Sequence, residues 1–330
     1  MKAIIPVAGA GTKLRPLTYT QPKPLIPVAG KPILSFIVDQ LIDAGVDDFI
    51  FVIGYLGDKI KEFLEEKYPK VSKQYVIQKE RIGLGQAIYE CKELCSGTKD
   101  LVIQLGDTIL DLDLRVFLNS KRSCLAVRKV LDPRQFGVVE LEDNGYVKKL
   151  VEKPQIPKTN LAIVGLYYIS DIQKLLQALE YNIEHNITTK GAFHLTDGLM
   201  RLVEQGEQID TMEVKNWFDC GKKEILLETN AILLDRSQDQ SIRQEIPGSI
   251  IVPPVSIGED CIIQNSIIGP NVTIGNNTQI LNAIVKDSIV GNYTTIEDLV
   301  VNHSIIGNDA LIRGKYQSFN IGDNTEIDLQ

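Results

Sequence analysis

Residues 6–32 combine glycines, lysines and prolines in a pattern that suits phosphate chemistry. Gly9 and Gly11 directly follow the first predicted strand, and the carboxyl end of a parallel strand is where such sheets bind ligands. Lys13 and Lys23 lie on the same proline-stiffened loop, so much of the ordering cost is met before a ligand arrives. The loop lacks the third glycine and the immediate helix of a dinucleotide fingerprint. It therefore indicates a polyphosphate site.

Two aspartates stand at the ends of predicted strands. Asp107 follows the apolar run 101–105, and Asp219 ends the run Trp217-Phe218-Asp219. Each carboxylate alone could merely cap a turn or a helix. On one sheet the two could share a hard cation, because Mg²⁺ typically takes one or two protein carboxylates while phosphates and waters complete its shell. The sequence therefore predicts Mg²⁺ as cofactor, held by both aspartates.

The elements that must position these residues alternate along the first 235 residues. Short β-branched runs follow amphipathic stretches, which predicts an α/β domain at 1–235 with a Rossmann-like mixed, mostly parallel sheet sandwiched by helices. The predicted strands are 2–7, 49–53, 74–77, 101–105, 122–130, 137–141, 146–151 and 161–169. The predicted helices are 32–44, 58–68, 85–94, 171–180, 195–205 and 222–234.

A different architecture is predicted for the last part of the chain. Helical periodicity disappears after residue 247, and Ile-Gly pairs recur from 257 to 322, with Val290-Gly291 among them. Such recurrence is typical of a parallel β-helix, in which the aliphatic residues of each coil stack on the next coil. The pattern resembles the left-handed hexapeptide-repeat helix and predicts about four coils over 248–330, after a linker at 236–247. A turn-rich β-sandwich is the alternative.

Composition narrows the class of function. The net charge of −8 disfavours a nucleic-acid partner, because such proteins usually carry a basic face. The five cysteines are scattered, and no apolar run approaches the roughly 20 residues that cross a bilayer. The first residues lead straight into a glycine turn and lack the organisation of a signal peptide. We therefore expect a cytoplasmic protein without a membrane partner.

The motifs of the first 230 residues, taken in order, resemble those of the sugar-phosphate nucleotidylyltransferases. The first is the loop 9–18, Gly-Ala-Gly-Thr-Lys-Leu-Arg-Pro-Leu-Thr, followed by the Pro-Lys-Pro of 22–24 and by Lys31-Pro32. The later ones are Gly83-Leu-Gly-Gln-Ala87, Leu105-Gly-Asp107, Phe136-Gly-Val-Val-Glu140, Val151-Glu-Lys-Pro154 and Trp217-Phe-Asp-Cys-Gly221. The ordered set implies an enzyme that converts a nucleoside triphosphate and a sugar 1-phosphate to a nucleotide sugar and pyrophosphate.

The resemblance also implies a role for each matching position. The catalytic set is Lys13, Lys23, Asp107 and Asp219, with both aspartates on Mg²⁺. The nucleotide-binding set is Ala8, Gly9, Gly11, Thr12, Lys13, Gln78, Gly83 and Asp107, where Gln78 could pair with a pyrimidine edge. The sugar-phosphate set is Gly137, Glu152, Lys153 and Asn160. Glucose 1-phosphate with dTTP or UTP is the preferred substrate pair, and a mannose-1-phosphate guanylyltransferase is the alternative.

Two departures from the family pattern leave other functions open. Lys13 stands where the family usually has arginine, which leaves open a regulatory homologue that binds nucleotide sugar without turnover, although the presence of both Asp107 and Asp219 argues against it. The segment 191–197, with Ala192 and His194, lacks the acidic residues of thymidylyltransferases and bears on which sugar is bound. A second, acyl-transfer activity in the β-helix would have only His303 available. We expect instead that the β-helix forms a homo-oligomer.

Overall fold

The computed structural model describes residues 1–237 and 246–315. The Ile321-Gly322 pair, most of the predicted linker and residues 316–330 of the predicted β-helix lie outside the described residues. The chain divides into two compact units. The first unit comprises Met1–Pro27 and Lys31–Leu226, and the second comprises Val28–Gly30 together with the residues from Leu227 onward.

Thirteen strands and seven α-helices are described before residue 238. The strands are β1 (Lys2–Pro6), β2 (Pro27–Val28), β3 (Lys31–Pro32), β4 (Asp48–Ile53), β5 (Ser72–Ile77), β6 (Leu101–Gln104), β7 (Thr108–Asp111), β8 (Cys124–Lys129), β9 (Gly137–Leu141), β10 (Val147–Glu152), β11 (Leu161–Ile169), β12 (Asp210–Glu213) and β13 (Asn216–Asp219). The helices are α1 (Ile33–Asp43), α2 (Gly57–Lys67), α3 (Leu84–Tyr89), α4 (Leu114–Leu118), α5 (Ile172–Glu184), α6 (Leu195–Glu204) and α7 (Lys223–Ser237).

The first unit is built on a mixed sheet in the strand order β10-β9-β11-β6-β1-β4-β5, with β8 pairing β11 and β12. Strands β6, β1, β4 and β5 run parallel, whereas β11 is antiparallel to β6, β8 and β9. Ile4 on β1 is fully buried in one apolar cluster with residues of α3, α5 and α6. The predicted mixed sheet between helices is confirmed. Because β1 and β6 are parallel neighbours, their following loops leave the same edge.

One helix is shorter than predicted. The sequence predicts a helix over 85–94, but α3 ends at Tyr89 and a separate 3₁₀ turn covers Glu93–Cys95. The backbone N–H groups of Cys91 and Lys92 donate to carbonyls three residues back, at 3.0 Å each, so the chain tightens before Cys95 is reached. Both cysteines are buried, and burial raises the pKa of Cys95 to about 11.

The second unit contains twelve short strands in three parallel sheets of four. They are β14 (Ile250–Ile251), β15 (Val255–Ile257), β16 (Ile262–Gln264), β17 (Ile267–Ile268), β18 (Val272–Ile274), β19 (Gln279–Leu281), β20 (Ile284–Lys286), β21 (Ile289–Val290), β22 (Thr295–Glu297), β23 (Val300–Asn302), β24 (Ile305–Ile306) and β25 (Leu311–Arg313). Each sheet contributes one strand to each of four coils, which confirms the predicted left-handed β-helix for the described residues.

The β-helix interior is a stack of aliphatic side chains. Ile268, Val285 and Val301 are register partners on successive coils and are buried. Short polar residues turn several corners with positive φ, among them Asn277 at 55° and Asp298 at 56°, since their side chains tolerate the left-handed region. His303 occupies such a corner, at φ 50°, and is exposed.

A buried asparagine ties three segments of the second unit together. Asn230 on α7 has 0% of its surface exposed. Its Oδ1 accepts from the Ala29 backbone N–H at 2.8 Å and from the Thr273 hydroxyl at 2.6 Å, and its Nδ2 donates to the Asn271 carbonyl at 3.1 Å. The buried Thr273 hydroxyl and the half-buried backbone groups of Ala29 and Asn271 would each lose a partner if the amide were removed.

Among the helices described, none combines the length and the apolar character that crossing a membrane requires.

Candidate active site

Two adjoining clefts open in the first unit at the edge where β1 and β6 end. The first has a volume of about 470 Å³ and the second about 340 Å³. Both clefts are lined by Leu84, Leu105, Asp107 and Asp219. Two molecules bound in separate clefts would therefore meet beside a pair of carboxylates.

A short antiparallel ribbon positions the two aspartates. Strands β7 and β13 pair so that Thr108 lies opposite Asp219, and the Cys220 N–H donates to the Asp107 carbonyl at 3.2 Å. Gly106, just before Asp107, packs on the end of β1, because a Cβ there would lie 2.2 Å from Val7 Cγ1. The backbone thus fixes both carboxylates before any ligand binds.

A lysine lies against both carboxylates. The Lys23 ammonium donates to Asp107 Oδ2 and lies 3.9 Å from Asp219 Oδ1. Burial and, second, the Asp107 charge raise the pKa of Asp219, while Lys23, Lys13 and Lys222 lower it. The two neighbouring carboxylates therefore favour a positive charge beside them, and the Lys23 ammonium supplies part of that charge.

The glycine-rich loop forms one wall of the first cleft. Gly11 has φ +60°, and the Thr18 hydroxyl donates to its carbonyl at 2.8 Å, which fixes the turn that presents Thr12 and Lys13. A Cβ at Gly9 would have nothing within 4 Å, so the backbone there faces open space. Lys13 is exposed and lines the cleft. This wall can present backbone N–H groups and the ammonium of the long Lys13 side chain to an anionic ligand.

The second cleft has an aromatic side and a charged side. Trp217 and Phe136 meet edge to face with ring centroids 4.7 Å apart, and Tyr167 lies in the same lining. The charged side consists of Glu152 and Lys153 at the end of β10, and the Glu152 Oε1 and Lys153 Nζ atoms are 3.3 Å apart. An apolar wall beside placed polar groups is the usual make-up of a small-molecule site.

Glu152 is held from several sides. The Thr196 hydroxyl donates to Oε2 at 2.7 Å, and His194 Nδ1 lies 3.4 Å from Oε1. Gly137 leaves room for this arrangement, because a Cβ there would lie 3.1 Å from Glu152 Oε2 and 3.0 Å from Thr196 Oγ1. Asp197, on the same helix as Thr196, is half-buried, and this burial raises its pKa.

Ten of the predicted site residues line one cleft or the other. They are Gly9, Gly11, Thr12, Lys13, Lys23, Asp107, Asp219, Gly137, Glu152 and Lys153. Their common lining brings the predicted polyphosphate loop and the predicted sugar-phosphate residues to the same two carboxylates.

Four predicted residues are not in either lining: Ala8, Gln78, Gly83 and Asn160. The Gln78 amide nitrogen donates to Gln86 Oε1 at 2.8 Å and to the Gly83 carbonyl at 3.3 Å. Gly83 packs so closely that a Cβ would lie 2.1 Å from the Phe193 carbonyl oxygen. Asn160 is exposed, and its carbonyl accepts from the Val130 N–H at 3.0 Å. Gln78 and Gly83 thus shape the loop that carries Leu84.

Sequence reasoning missed Leu84, Leu105 and Tyr167, which line the clefts. These side chains give no chemical signal in the sequence, because an apolar or aromatic residue there looks like part of the core. Thr196 was also missed as a partner of Glu152, although its place beside Asp197 in the unusual 191–197 segment was a usable signal.

No group of three or more histidine, cysteine, aspartate or glutamate side chains suited to a metal ion occurs within residues 1–237 and 246–315. Asp107 and Asp219 supply two carboxylates, which is the number that Mg²⁺ commonly takes from a protein when phosphates complete its shell.

Known proteins resemble this chain over the first unit. A family model described as nucleotidyl transferase matches residues 2–236. The low-salt glycan biosynthesis nucleotidyltransferase Agl11 of Haloferax volcanii is 34% identical over 252 residues, which cover 74% of this chain and 68% of that protein. A glucose-1-phosphate thymidylyltransferase of Streptomyces antibioticus is 29% identical over 276 residues, covering 81% and 75%. A UDP-glucose pyrophosphorylase solved with UDP-glucose shares the fold, with a TM-score of 0.61, 23% identity and coverage of 71% and 98%.

Proposed function

Because the chain belongs to the nucleotidyl transferase family, we propose that this nucleotidyltransferase joins a nucleoside triphosphate to a sugar 1-phosphate and releases pyrophosphate. The observation that carries the proposal is the meeting of two clefts at Asp107 and Asp219. One cleft is lined by glycines and lysines that suit a triphosphate, and the other by aromatic and charged residues that suit a sugar phosphate. A hydrolase for one substrate would not need both.

The reaction needs position and charge more than acid–base groups. The second pKa of a phosphate monoester is about 6, so a sugar 1-phosphate is mostly dianionic at neutral pH. One of its oxygens attacks the α-phosphorus, the bond from that phosphorus to the bridging oxygen breaks, and pyrophosphate leaves with the electron pair. Two polyanions must approach each other, and the main task of the protein is to reduce their repulsion.

Named residues would divide this task. Lys13 and the backbone from Gly9 to Thr12 would hold the triphosphate, and Lys23 would neutralise charge beside the reacting phosphorus. Lys153 would hold the incoming phosphate, and Glu152 would accept hydrogen bonds from sugar hydroxyls. Both clefts reach the carboxylates, so an in-line approach is the arrangement that we propose.

Asp107 and Asp219 fit a divalent cation. The Lys23 ammonium already lies against both carboxylates, and the burial that raises the Asp219 pKa makes a nearby positive charge favourable. Mg²⁺, when bound, supplies positive charge to phosphate oxygens. The two aspartates would hold it, with substrate oxygens and water as further ligands.

We propose glucose 1-phosphate with dTTP or UTP as the substrate pair. The Streptomyces relative carries the name glucose-1-phosphate thymidylyltransferase, which supports this choice. The homo-oligomer expected through the β-helix stays a prediction, to be checked by sedimentation of the full chain.

The test is pyrophosphate release with Mg²⁺ from a grid of dTTP, UTP, GTP, CTP and ATP against glucose, mannose, galactose and glucosamine 1-phosphates. We expect release with glucose 1-phosphate and dTTP or UTP, and loss of at least about 100-fold in Asp107→Asn. Asp143→Asn is the matched control, because Asp143 is exposed in the turn between β9 and β10. Silence of the whole grid from folded protein that still binds a nucleotide sugar would instead establish a binding-only homologue.

A further inference from the structure

The two carboxylate oxygens of Glu152 differ in their contacts, because Oε2 accepts a short hydrogen bond and Oε1 has only longer contacts. Oε2 accepts from the Thr196 hydroxyl at 2.7 Å, whereas Oε1 lies 3.3 Å from Lys153 Nζ and 3.4 Å from His194 Nδ1. Glu152 and His194 line the second cleft, with 10% and 15% of their side-chain surfaces exposed. Both side chains are therefore constrained, and both are within reach of a bound sugar.

The environment fixes which nitrogen of His194 carries a hydrogen. Nε2 lies 3.1 Å from the Thr189 carbonyl oxygen, and a carbonyl oxygen only accepts. Nε2 must therefore be the protonated nitrogen, so a neutral ring presents Nδ1 as a bare acceptor. That acceptor faces Glu152 Oε1, which is also an acceptor. The two atoms cannot satisfy each other unless a second proton or a ligand hydrogen lies between them.

A ligand hydroxyl group that contacts both His194 Nδ1 and Glu152 Oε1 is fully hydrogen-bonded only when the ring is protonated. It can then accept from Nδ1–H and donate to the Glu152 oxygen, so that every group is satisfied. With a neutral ring, its single hydrogen must serve two acceptors, and one is left unpaired at a cost. An ammonium group has the opposite preference, because it has three donors and is repelled by an imidazolium.

Given the proposed function of the second cleft, we infer that His194 and Glu152 together read one hydroxyl group of the sugar, with the His194 imidazolium as donor and Glu152 as acceptor. His194 is then a specificity-determining residue, and its charge state controls sugar affinity. Imidazole is the side chain that ordinarily changes charge between pH 5 and 8. Binding of a sugar 1-phosphate that presents a hydroxyl group rather than an ammonium group to His194 and Glu152 should weaken as pH rises through that range, whereas nucleotide binding should not follow it.

The charged surroundings of His194 act in both directions. Glu152 on β10 and Asp197 on α6 favour the imidazolium, the latter to the extent that it is ionised, since burial raises its pKa. Lys153 opposes it, since its ammonium lies 3.3 Å from the same Glu152 oxygen, and the nearby Lys190 ammonium donates to the Lys153 carbonyl at 2.8 Å. Tyr167 on β11 stays neutral because burial raises its pKa.

The kinetic test measures KM for glucose 1-phosphate and for the nucleotide between pH 6 and pH 8.5. For the unaltered protein we expect the sugar KM to rise about tenfold, the size of one charge-assisted hydrogen bond, with a flat nucleotide KM. In His194→Gln the amide donates at every pH, so the sugar KM should vary at least about threefold less. His185→Gln is the matched control, because His185 is exposed just after the end of α5 and lines neither cleft. Parallel profiles for His194→Gln and the unaltered protein would overturn the inference.

A second measurement does not depend on activity or on any variant. The chain has three histidines, so their ring protons can be followed by NMR through a pH titration. We expect sugar 1-phosphate to move the midpoint of the His194 titration upward by more than inorganic phosphate does, because inorganic phosphate offers charge without the hydroxyl groups of a sugar ring. Equal displacement by the two ligands would overturn the inference. Absence of turnover with every sugar 1-phosphate would instead overturn the proposed function, so the two failures are distinguishable.

Discussion

Asp219→Asn should stabilise the protein while it destroys catalysis. Burial and the neighbouring Asp107 charge raise the pKa of Asp219 in the folded state, so the ionised carboxylate opposes folding at neutral pH. A neutral amide of the same shape removes that repulsion. Lys23 lies 3.9 Å away and offsets part of it, and 38% of the side chain is exposed, so solvent screening limits the gain.

The expected gain is about 0.5–1 kcal/mol, or about 1–4 °C in Tm for a unit of this size. The sign follows from linkage: a raised folded-state pKa means that the destabilisation is present above that pKa and disappears as pH falls through it. Thermal unfolding in EDTA should therefore show the gain at pH 7.5 and lose it toward pH 4, while kcat/KM with Mg²⁺ falls at least about 100-fold.

Asp143→Asn, at an exposed turn position, is the control and should change neither Tm nor kcat/KM. An Asp219→Asn protein that melts below the unaltered one in EDTA would refute the reasoning. That outcome would mean that attraction between Asp219 and Lys23 outweighs repulsion from Asp107 and desolvation.

Further substitutions test the other parts of the site and fold. Lys153→Met should raise KM for the sugar 1-phosphate about 10- to 100-fold with little effect on nucleotide KM, and Lys158→Met, at an exposed position, should leave both unchanged in steady-state assays. Lys13→Arg should raise kcat/KM up to about tenfold, because a guanidinium can hold two phosphate oxygens; an unchanged or lower value would mean that Lys13 does not contact phosphate. Asn230→Leu should destabilise the second unit by about 2–4 kcal/mol in denaturant unfolding, since it leaves Ala29, Thr273 and Asn271 groups unpaired; a loss under about 0.5 kcal/mol would show that water replaces the amide. Removal of Mg²⁺ with EDTA should abolish pyrophosphate release, and excess Mg²⁺ should restore it.

Periodicity alone predicted most of the fold. The apolar runs that became β1, β4 and β6 are buried on a parallel sheet, and such runs are readable without tertiary information. The repeated Ile-Gly pairs likewise indicated a coil that stacks on itself. The end of α3 at Tyr89 was not readable, because it depends on local tightening before a buried cysteine.

Residues of the proposed site could be predicted from sequence where a charged side chain stands at the end of a recognisable strand. Asp107 and Asp219 follow from their polarity at strand ends, but their common partner Lys23 needed the loop conformation to be seen. The pairing of β7 with β13 joins segments far apart in the chain, and local sequence does not specify it. The orientation of Gln78 toward Gln86 also depends on which neighbours pack beside it.

The β7–β13 ribbon makes the proposed catalytic pair, Asp107 and Asp219, sensitive to strand register. Thr108 and Asp219 are partners in a ladder where side chains alternate between faces. A slip of one residue would turn Asp219 away from Asp107, and the carboxylate would be lost from the cleft although its backbone had hardly moved. An insertion in an exposed turn between these strands, such as the turn between β9 and β10, leaves this register unchanged, whereas a single residue added within β7 or β13 should remove activity from a chain that still folds.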